Sequence, residues 1–457
     1  MNIISLVYIA FLLIAFSVYG LIPRSMRKIW LFLCSMVFCG AVLPLQTLCM
    51  LVYAWLILFF GRLIGRKKNR GILASGIVLS VLLLYFCKYL NFTLSVFGAD
   101  RMIQIIAPLG VSYIVFQCIA YLTEIYRGSL QPVEEPLDLF LYMFFFPKIL
   151  SGPIEPPAKF LSELEEPQEN TFEQYLSAFS HIINGFVRKM AVANYLAAGV
   201  DAVYASLDKA DAFSLTLAAV MYSFQIYFDF SGYSEIAIGS AGLFGIRLSK
   251  NFNRPYLAAG IQDFWKRWHM SLSAWLKNYV YIPLGGNRRG FARKQLNTFL
   301  TFVVSGLWHG ASFTYLLWGA LHGLMQVIEN LFRKRRKVPE KWYCRTVQVV
   351  ITFALVTVAW VFFRIPSLGD LHVFVRSFFR NTPDLSAAVQ LCRITAGGGI
   401  VVALGAVLSE LTQRFCIEKT RPASVWLICL ADAALILLSL CLFPGESAES
   451  GFIYFNF

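Results

Sequence analysis

The sequence predicts an all-α integral membrane protein with roughly eleven to thirteen helical membrane segments, some of them short or re-entrant. Three observations predict it. Charged residues make up 14% of the chain, against about 25% in soluble domains. Hydrophobic residues make up 58% and the mean hydropathy is +0.63, so a water-soluble fold of this size could not cover its surface. Long, nearly uncharged runs recur from Ile3 to Phe443, and in lipid every backbone polar group must find its partner inside the protein.

In chain order, the expected segments are 3–22, 29–43, 46–61, 73–97, 106–126, 137–151, 177–204, 212–230, 296–316, 316–332, 346–363, 395–413 and 424–443. The first is long enough to span and no small-residue cleavage site follows it, so it is expected to be a membrane helix rather than a removed leader. The longest polar connection, Ser151–Gln174, carries prolines and carboxylates and reads as a loop or surface-lying segment. The chain divides into a membrane domain over 1–443 and a tail over 444–457.

The formal charge of +14 sits between segments, at Arg24–Lys28, Arg62–Arg70 and Arg333–Lys341. The positive-inside rule accounts for it and places the amino terminus and the tail outside the cytoplasm. No basic-aromatic groove pattern points to nucleic acid. The ten cysteines are scattered, mostly through apolar runs as at Cys34, Cys39 and Cys87, without a CxxC pair. They read as packing residues, not zinc ligands or disulfides.

The chemistry concentrates between Asp263 and Gly323, which holds three of the five histidines: His269, His309 and His322. On a continuous helix, Phe264, Trp268, Leu272, Trp275 and Tyr279 share one face, with Lys266, Ser273 and Lys277 opposite. The pattern predicts an amphipathic helix at an interface or against a bundle. His269 would lie at the edge of its apolar arc, partly desolvated but reachable. The run Leu296–Phe332 is too long for one span at about 1.5 Å per residue. Gly306, Gly310 and Gly319 mark breaks or close helix contacts, which places His309 beside a cavity. A histidine in an apolar span is costly and is a functional candidate by default, with a pKa suited to proton transfer. His322 reads as a packing residue, as do His181 and His372.

Asp229 and Glu235 lie in YFDFSGYSEIAIG (227–239). Buried carboxylates are paired, here with a basic residue of Arg247–Arg254, or else they orient a histidine. No metal-binding HExxH, phosphate-cradling loop or GxSxG elbow is present. Gly285–Gly290, including Asn287, reads as a turn with a basic flank; Arg288, Arg289 and Arg293 could receive a cofactor phosphate. The tail ends in Phe452, Ile453, Tyr454, Phe455, Asn456 and Phe457. A phenol of pKa about 10 makes an ester that leaves more readily than an alkyl ester, so Tyr454 could accept an acyl group and pass it on.

Five stretches together resemble the membrane-bound O-acyltransferase family, in its bacterial branch of alginate and cell-wall polysaccharide O-acetyltransferases: PLGVSYIVFQ (108–117), FFPKILSGPI (145–154), YFDFSGYSEIAIG (227–239), NFNRPYLAAGIQDFWKRWHMSLSAWLKNYVYIPLGGNRRG (251–290) and SGLWHGASFTYLLWGALHG (305–323). Beyond residue 340 the likeness is one of helix pattern only. The resemblance implies helices around a tunnel, with His309 as the principal catalytic histidine and His269 as the second polar group of the site, orienting the reactants or stabilising the oxyanion. Trp265, Trp268, Trp308 and Trp275 would shape the tunnel; Asp229, His322 and Asn287 would support it. Phe452, Tyr454 and Phe457 fit an F-x-Y-x-x-F acyl-relay motif, which implies an extracytoplasmic serine esterase-like (SGNH-type) partner. The implied reaction moves acetyl from acetyl-CoA or another thioester, with no tightly bound cofactor, across a bacterial cytoplasmic membrane to a polysaccharide. The alternatives are D-alanyl transfer to teichoic acid, a glycan-precursor transporter and a scaffold.

Overall fold

A computed structural model describes residues 3–41, 43–98, 102–165, 169–333, 341–382, 384, 401–417 and 428–436. No strand occurs among them. They form two compact units, Met1–Ile182 with Tyr233–Lys250, and Ile183–Gly232 with the chain from Asn251 onward. The terminal motif Phe452, Tyr454 and Phe457 lies outside the described residues, as does most of the basic cluster Arg333–Lys341.

The first unit holds α1 (Leu6–Leu21), α2 (Arg24–Gly40), α3 (Pro44–Lys67) and α4 (Arg70–Val96, with a π turn at Tyr85–Tyr89). It continues with α5 (Val111–Arg127), α6 (Pro136–Phe144), α7 (Pro157–Glu165) and the larger part of α8 (Phe172–Phe186). Helices α3 and α4 have 24 and 27 residues and a mean hydropathy of 2.0 each. At about 1.5 Å per residue they exceed the roughly 30 Å of a bilayer core. Their sides, and those of α1 and α2, expose Leu6, Val37, Val52 and Phe59, the solvent preference of a lipid-facing surface.

The interior of this unit is built by two of the quoted stretches. Gly110 has φ +67, and a Cβ there would fall 2.2 Å from the Ile149 carbonyl oxygen. Only glycine lets PLGVSYIVFQ cross FFPKILSGPI backbone to backbone. Lys148 is buried and donates to the Tyr142 carbonyl at 2.5 Å, with the rings of Tyr142 and Phe160 beneath it. The Glu155 carboxylate accepts from Ser249 Oγ at 2.9 Å and Lys159 Nζ at 3.0 Å. Glu235 is paired with His181, Nδ1 to Oε2 at 2.5 Å.

The second unit opens with a π turn over Val187–Ala193, then α9 (Asn194–Tyr204) and the larger part of α10 (Ala212–Leu243). It goes on to α11 (Ile261–Trp265), α12 (Met270–Leu276), α13 (Gly290–His309), α14 (Phe313–Arg333), α15 (Trp342–Arg364) and α16 (Leu368–Arg380). Helix α15, with 23 residues and a mean hydropathy of 2.2, is the third described helix long and apolar enough to cross a membrane. The other expected segments up to residue 332 are also helical, the one expected over 177–204 being interrupted by a π turn. The core of the unit packs Leu215, Tyr222, Ile226 and Phe230 of α10 against Phe264, Trp265, Trp268, Trp318, Trp360 and Phe363.

Helix α10 runs unbroken through YFDFSGYSEIAIG, beyond the expected end at residue 230. It can do so because its charge is neutralised in place: Asp229 meets Lys189 of the π turn at 2.5 Å, and both are buried. This partner lies upstream at Lys189, not in the Arg247–Arg254 stretch where a pairing was expected. Arg254 pairs with Glu410 instead. The sequence offers no register for Lys189, because a π turn shifts the face its side chains occupy.

Candidate active site

His309 is the last residue of α13. Gly310 follows in extended conformation, and a Cβ on it would fall 2.2 Å from the Tyr315 ring. A side chain there would have to displace the Tyr315 ring, so glycine lets the chain turn closely into α14. The break thus falls at Gly310, within the run expected to break, and not at residue 316. Three rings meet the His309 imidazole edge to face: Trp308 at 4.9 Å, Trp318 at 5.0 Å and Phe363 at 5.2 Å between centroids. The imidazole is 3% exposed. Such a wall keeps water from a reactive acyl compound and strengthens any charge interaction formed inside it.

His269 departs from expectation. The apolar face holds, since Phe264, Trp268, Leu272 and Trp275 are buried and Lys266 and Lys277 are exposed. The single amphipathic helix does not. It stops at Trp265 and restarts at Met270, with His269 between at φ +42, ψ +56. Left-handed backbone costs a non-glycine residue about 1–2 kcal/mol and persists where surrounding structure imposes it. Asn251 imposes it. Its carbonyl accepts Met270 N–H at 2.9 Å, its Oδ1 accepts Ser271 Oγ–H at 2.6 Å, and Asn253 N–H donates to the Arg267 carbonyl at 2.9 Å.

The consequence is full burial: His269 is 0% exposed, not reachable at the edge of an arc. Its ring stands on Phe230 at 4.7 Å and faces Trp308 at 6.3 Å. Trp308 is thus in contact with both candidate histidines. Neither nitrogen of His269 has a hydrogen-bond partner among the described residues. His269 lies in a turn outside the expected spans, and burial pushes its imidazole down to about 3, so it is neutral at physiological pH.

His322 is buried on α14, and its Nδ1 accepts from Trp265 Nε1 at 3.3 Å. Trp268 stacks on Phe264 at 5.6 Å and meets Trp360 at 4.9 Å. Trp275 is buried against Tyr279. Asp229 bears on the site through its neighbour Phe230, while its own carboxylate goes to Lys189. Asn287 is exposed in the turn 282–289, as are Arg288 and Arg289. It stands apart in character from the buried residues it was expected to support, because the glycines around it (Gly285 at φ +110, Gly286 at φ +55) form a surface turn.

Sequence reasoning missed four residues: Trp318, Trp360, Phe363 and Asn251. Trp318 touches both His309 and His322, at 5.0 and 4.9 Å. Its spacing of four before His322 on one helix was a usable signal. Trp360 and Phe363 lie on α15, where a tryptophan in an apolar run gives no local hint of its neighbours. Trp360 Nε1 donates to Tyr256 Oη at 3.2 Å, and Tyr256 in turn donates to the Ser223 carbonyl. Among the described residues no group of three or more His, Cys, Asp or Glu is arranged to hold a metal ion.

Residues 134–368 match the model of the MBOAT, membrane-bound O-acyltransferase, family. That range contains every residue of the site and runs past residue 340, where the likeness was expected to fade. The chain is 35% identical over 325 residues to the probable alginate O-acetylase AlgI of Pseudomonas putida, covering 68% of this chain and 64% of that protein. It is 33% identical over 398 residues to the peptidoglycan O-acetyltransferase of Helicobacter pylori, covering 78% and 74%. It is 30% identical over 331 residues to the teichoic acid D-alanyltransferase of Bacillus subtilis, covering 68% and 82%. The chain spans less than two thirds of the length of the Pseudomonas putida relative.

Proposed function

The chain belongs to the membrane-bound O-acyltransferase family, and from that premise we propose that it transfers an acetyl group from a cytoplasmic thioester, such as acetyl-CoA, for O-acetylation of an extracellular or cell-wall polysaccharide. The observation that carries this reading is His309, buried at the end of α13 among Trp308, Trp318 and Phe363. His309 takes the proton of the accepting hydroxyl as its oxygen attacks the thioester carbonyl. The tetrahedral intermediate collapses, the C–S bond breaks, and His309 returns the proton to the departing sulfur. An ester and a thiol result. Neutral His269, across Trp308, orients the reactants.

The relatives named for acetyl transfer are the more similar in sequence, which supports acetyl over D-alanyl. The tail supports a relay in which Tyr454 is the first acceptor and Phe452 and Phe457 seat it. A second, SGNH-type transferase outside the membrane then takes the acetyl group to its serine and frees the phenol. The basic clusters support a bacterial cytoplasmic-membrane location with the amino terminus and tail outside.

Polymer-bound acetyl, released by mild base from cells carrying His309→Ala, tests the reading. It should fall by about 10²–10⁴ relative to wild type, the range for loss of a general base, with the protein still in the membrane. Wild-type acetylation in the variant would sink it. Finding D-alanyl in place of acetyl on the wild-type polymer would move the protein to the other acyl group.

A further inference from the structure

His322 was expected to be a packing residue, but the structure gives its imidazole a direction. Trp265 Nε1 points at His322 Nδ1, 3.3 Å away. An indole nitrogen only donates, so Nδ1 is the acceptor, and a neutral imidazole must then carry its proton on Nε2. The cationic form is disfavoured, since it would set N–H against N–H. His322 is 0% exposed, and Nε2 has no acceptor among the described residues. One helical turn earlier on the same face of α14, Trp318 is also 0% exposed, and its Nε1–H likewise has no acceptor there. The two rings lie 4.9 Å apart, and the Trp318 ring is 5.0 Å from His309. Buried donors without acceptors are rare, and here two occur on adjacent rings, of which Trp318 packs against the candidate base. Phenylalanine at position 318 would fill the space without leaving a donor unpaired.

We propose that Nε2–H of His322 and Nε1–H of Trp318 form a paired donor site for the carbonyl oxygen of an acyl thioester. The inference rests on the acyl-transfer reading above and deepens it. A carbonyl oxygen offers lone pairs and no proton, the complement of two neutral N–H groups. As the accepting oxygen attacks, the C=O π electrons move onto that oxygen, and the two donors receive the growing charge. No proton leaves either donor. Trp265 is a positioning residue: its N–H selects the tautomer that turns the His322 donor outward from Nδ1.

The test uses the full chain in lipid nanodiscs with acetyl-CoA labelled with ¹³C at the carbonyl. Loss of one such donor lowers kcat by about 10²–10³. His322→Phe and Trp318→Phe should each show that drop with KM changed by less than about threefold, while His322→Gln, which restores an N–H, recovers at least about tenfold over His322→Phe. Trp265→Phe should lower kcat to a lesser degree. In a His309→Ala background, where the thioester stays intact, the bound ¹³C=O stretch should lie below that of free acetyl-CoA and return toward it in His322→Phe. A His322→Phe enzyme with wild-type kcat, or a carbonyl band that ignores the substitution, overturns the donor site while leaving acyl transfer standing. A wild-type protein that turns over no thioester overturns the acyl-transfer reading itself and the donor site with it. Trp265→Phe and His322→Gln keep the test open should a phenylalanine variant at position 318 or 322 fail to fold.

Discussion

Gly306 and Gly319 meet backbone to backbone where α13 passes α14: a Cβ on either would fall 3.1 Å from the other's Cα. Small residues allow helices to approach this closely in a membrane protein. The contact lies three residues before His309 and one residue after Trp318, so it sets the distance at which the imidazole meets the indole.

Gly306→Ala should therefore damage both stability and activity. Its Cβ would fall 2.3 Å from the Tyr315 carbonyl oxygen, which is backbone and cannot rotate away. Overpacking of this kind costs about 1–3 kcal/mol. We expect a lower melting temperature in detergent and acyl transfer reduced at least tenfold at temperatures where the variant is still folded. A Gly306→Ala protein with wild-type turnover would show that the helix spacing does not set the site.

The buried pair of Lys189 and Asp229 predicts an asymmetric response to mutation. Asp229→Asn leaves the Lys189 ammonium in the interior without its carboxylate, which costs about 3–5 kcal/mol, whereas replacing both partners by apolar residues can be neutral. The yield of folded Asp229→Asn should drop sharply, and Lys189→Met combined with Asp229→Leu should recover much of it. Equal yields of the single and double variants would contradict a stabilising role for the pair.

Burial of His269 gives a signed dependence on pH. Its folded pKa is held at about 3, below the roughly 6.5 of an unfolded histidine. Between those values the unfolded chain binds the extra proton. This contribution to stability is fully present above about 6.5 and is lost as pH falls toward 3, by up to about 1.4 kcal/mol per pH unit. Melting curves from pH 7 to pH 4.5 should fall more steeply for wild type than for His269→Gln. Parallel curves would mean that the imidazole is hydrated in the folded protein.

Tyr454→Phe separates relay from direct transfer. It removes the phenolic oxygen and keeps the aromatic ring, so membrane insertion should be unchanged while polymer acetylation falls to the level of His309→Ala. Full acetylation in Tyr454→Phe would leave direct transfer to the sugar as the route. Labelled acetyl recovered on the carboxy-terminal peptide of wild type would establish the relay.

Much of the site was legible where the sequence pattern is local. Glycines beside His309 announced a break in an apolar run, and the break is at Gly310. The face of Phe264, Trp268, Leu272 and Trp275 announced its burial. What failed was continuity. Periodicity continued through Lys266–His269 as if one helix ran there, because nothing local reveals that Asn251, eighteen residues before His269, will bind Met270 and Ser271 and force the turn. The partner of Asp229 was not legible for the same reason: charge pairing depends on which faces pack, and Lys189 reaches Asp229 from a π turn.

The sequence alone determined that this chain is a helical membrane protein, since apolarity over long runs leaves the backbone no other way to satisfy its hydrogen bonds. It also determined that His309 stands at a helix break. The tertiary structure alone decided what surrounds that histidine. Trp318 comes from the next helix and Phe363 from the one after, some fifty residues away in sequence. It decided, too, which nitrogen of His322 carries the proton, through an indole on α11. Burial and hydrogen-bond direction are properties of packed neighbours, and no pattern within one segment encodes them.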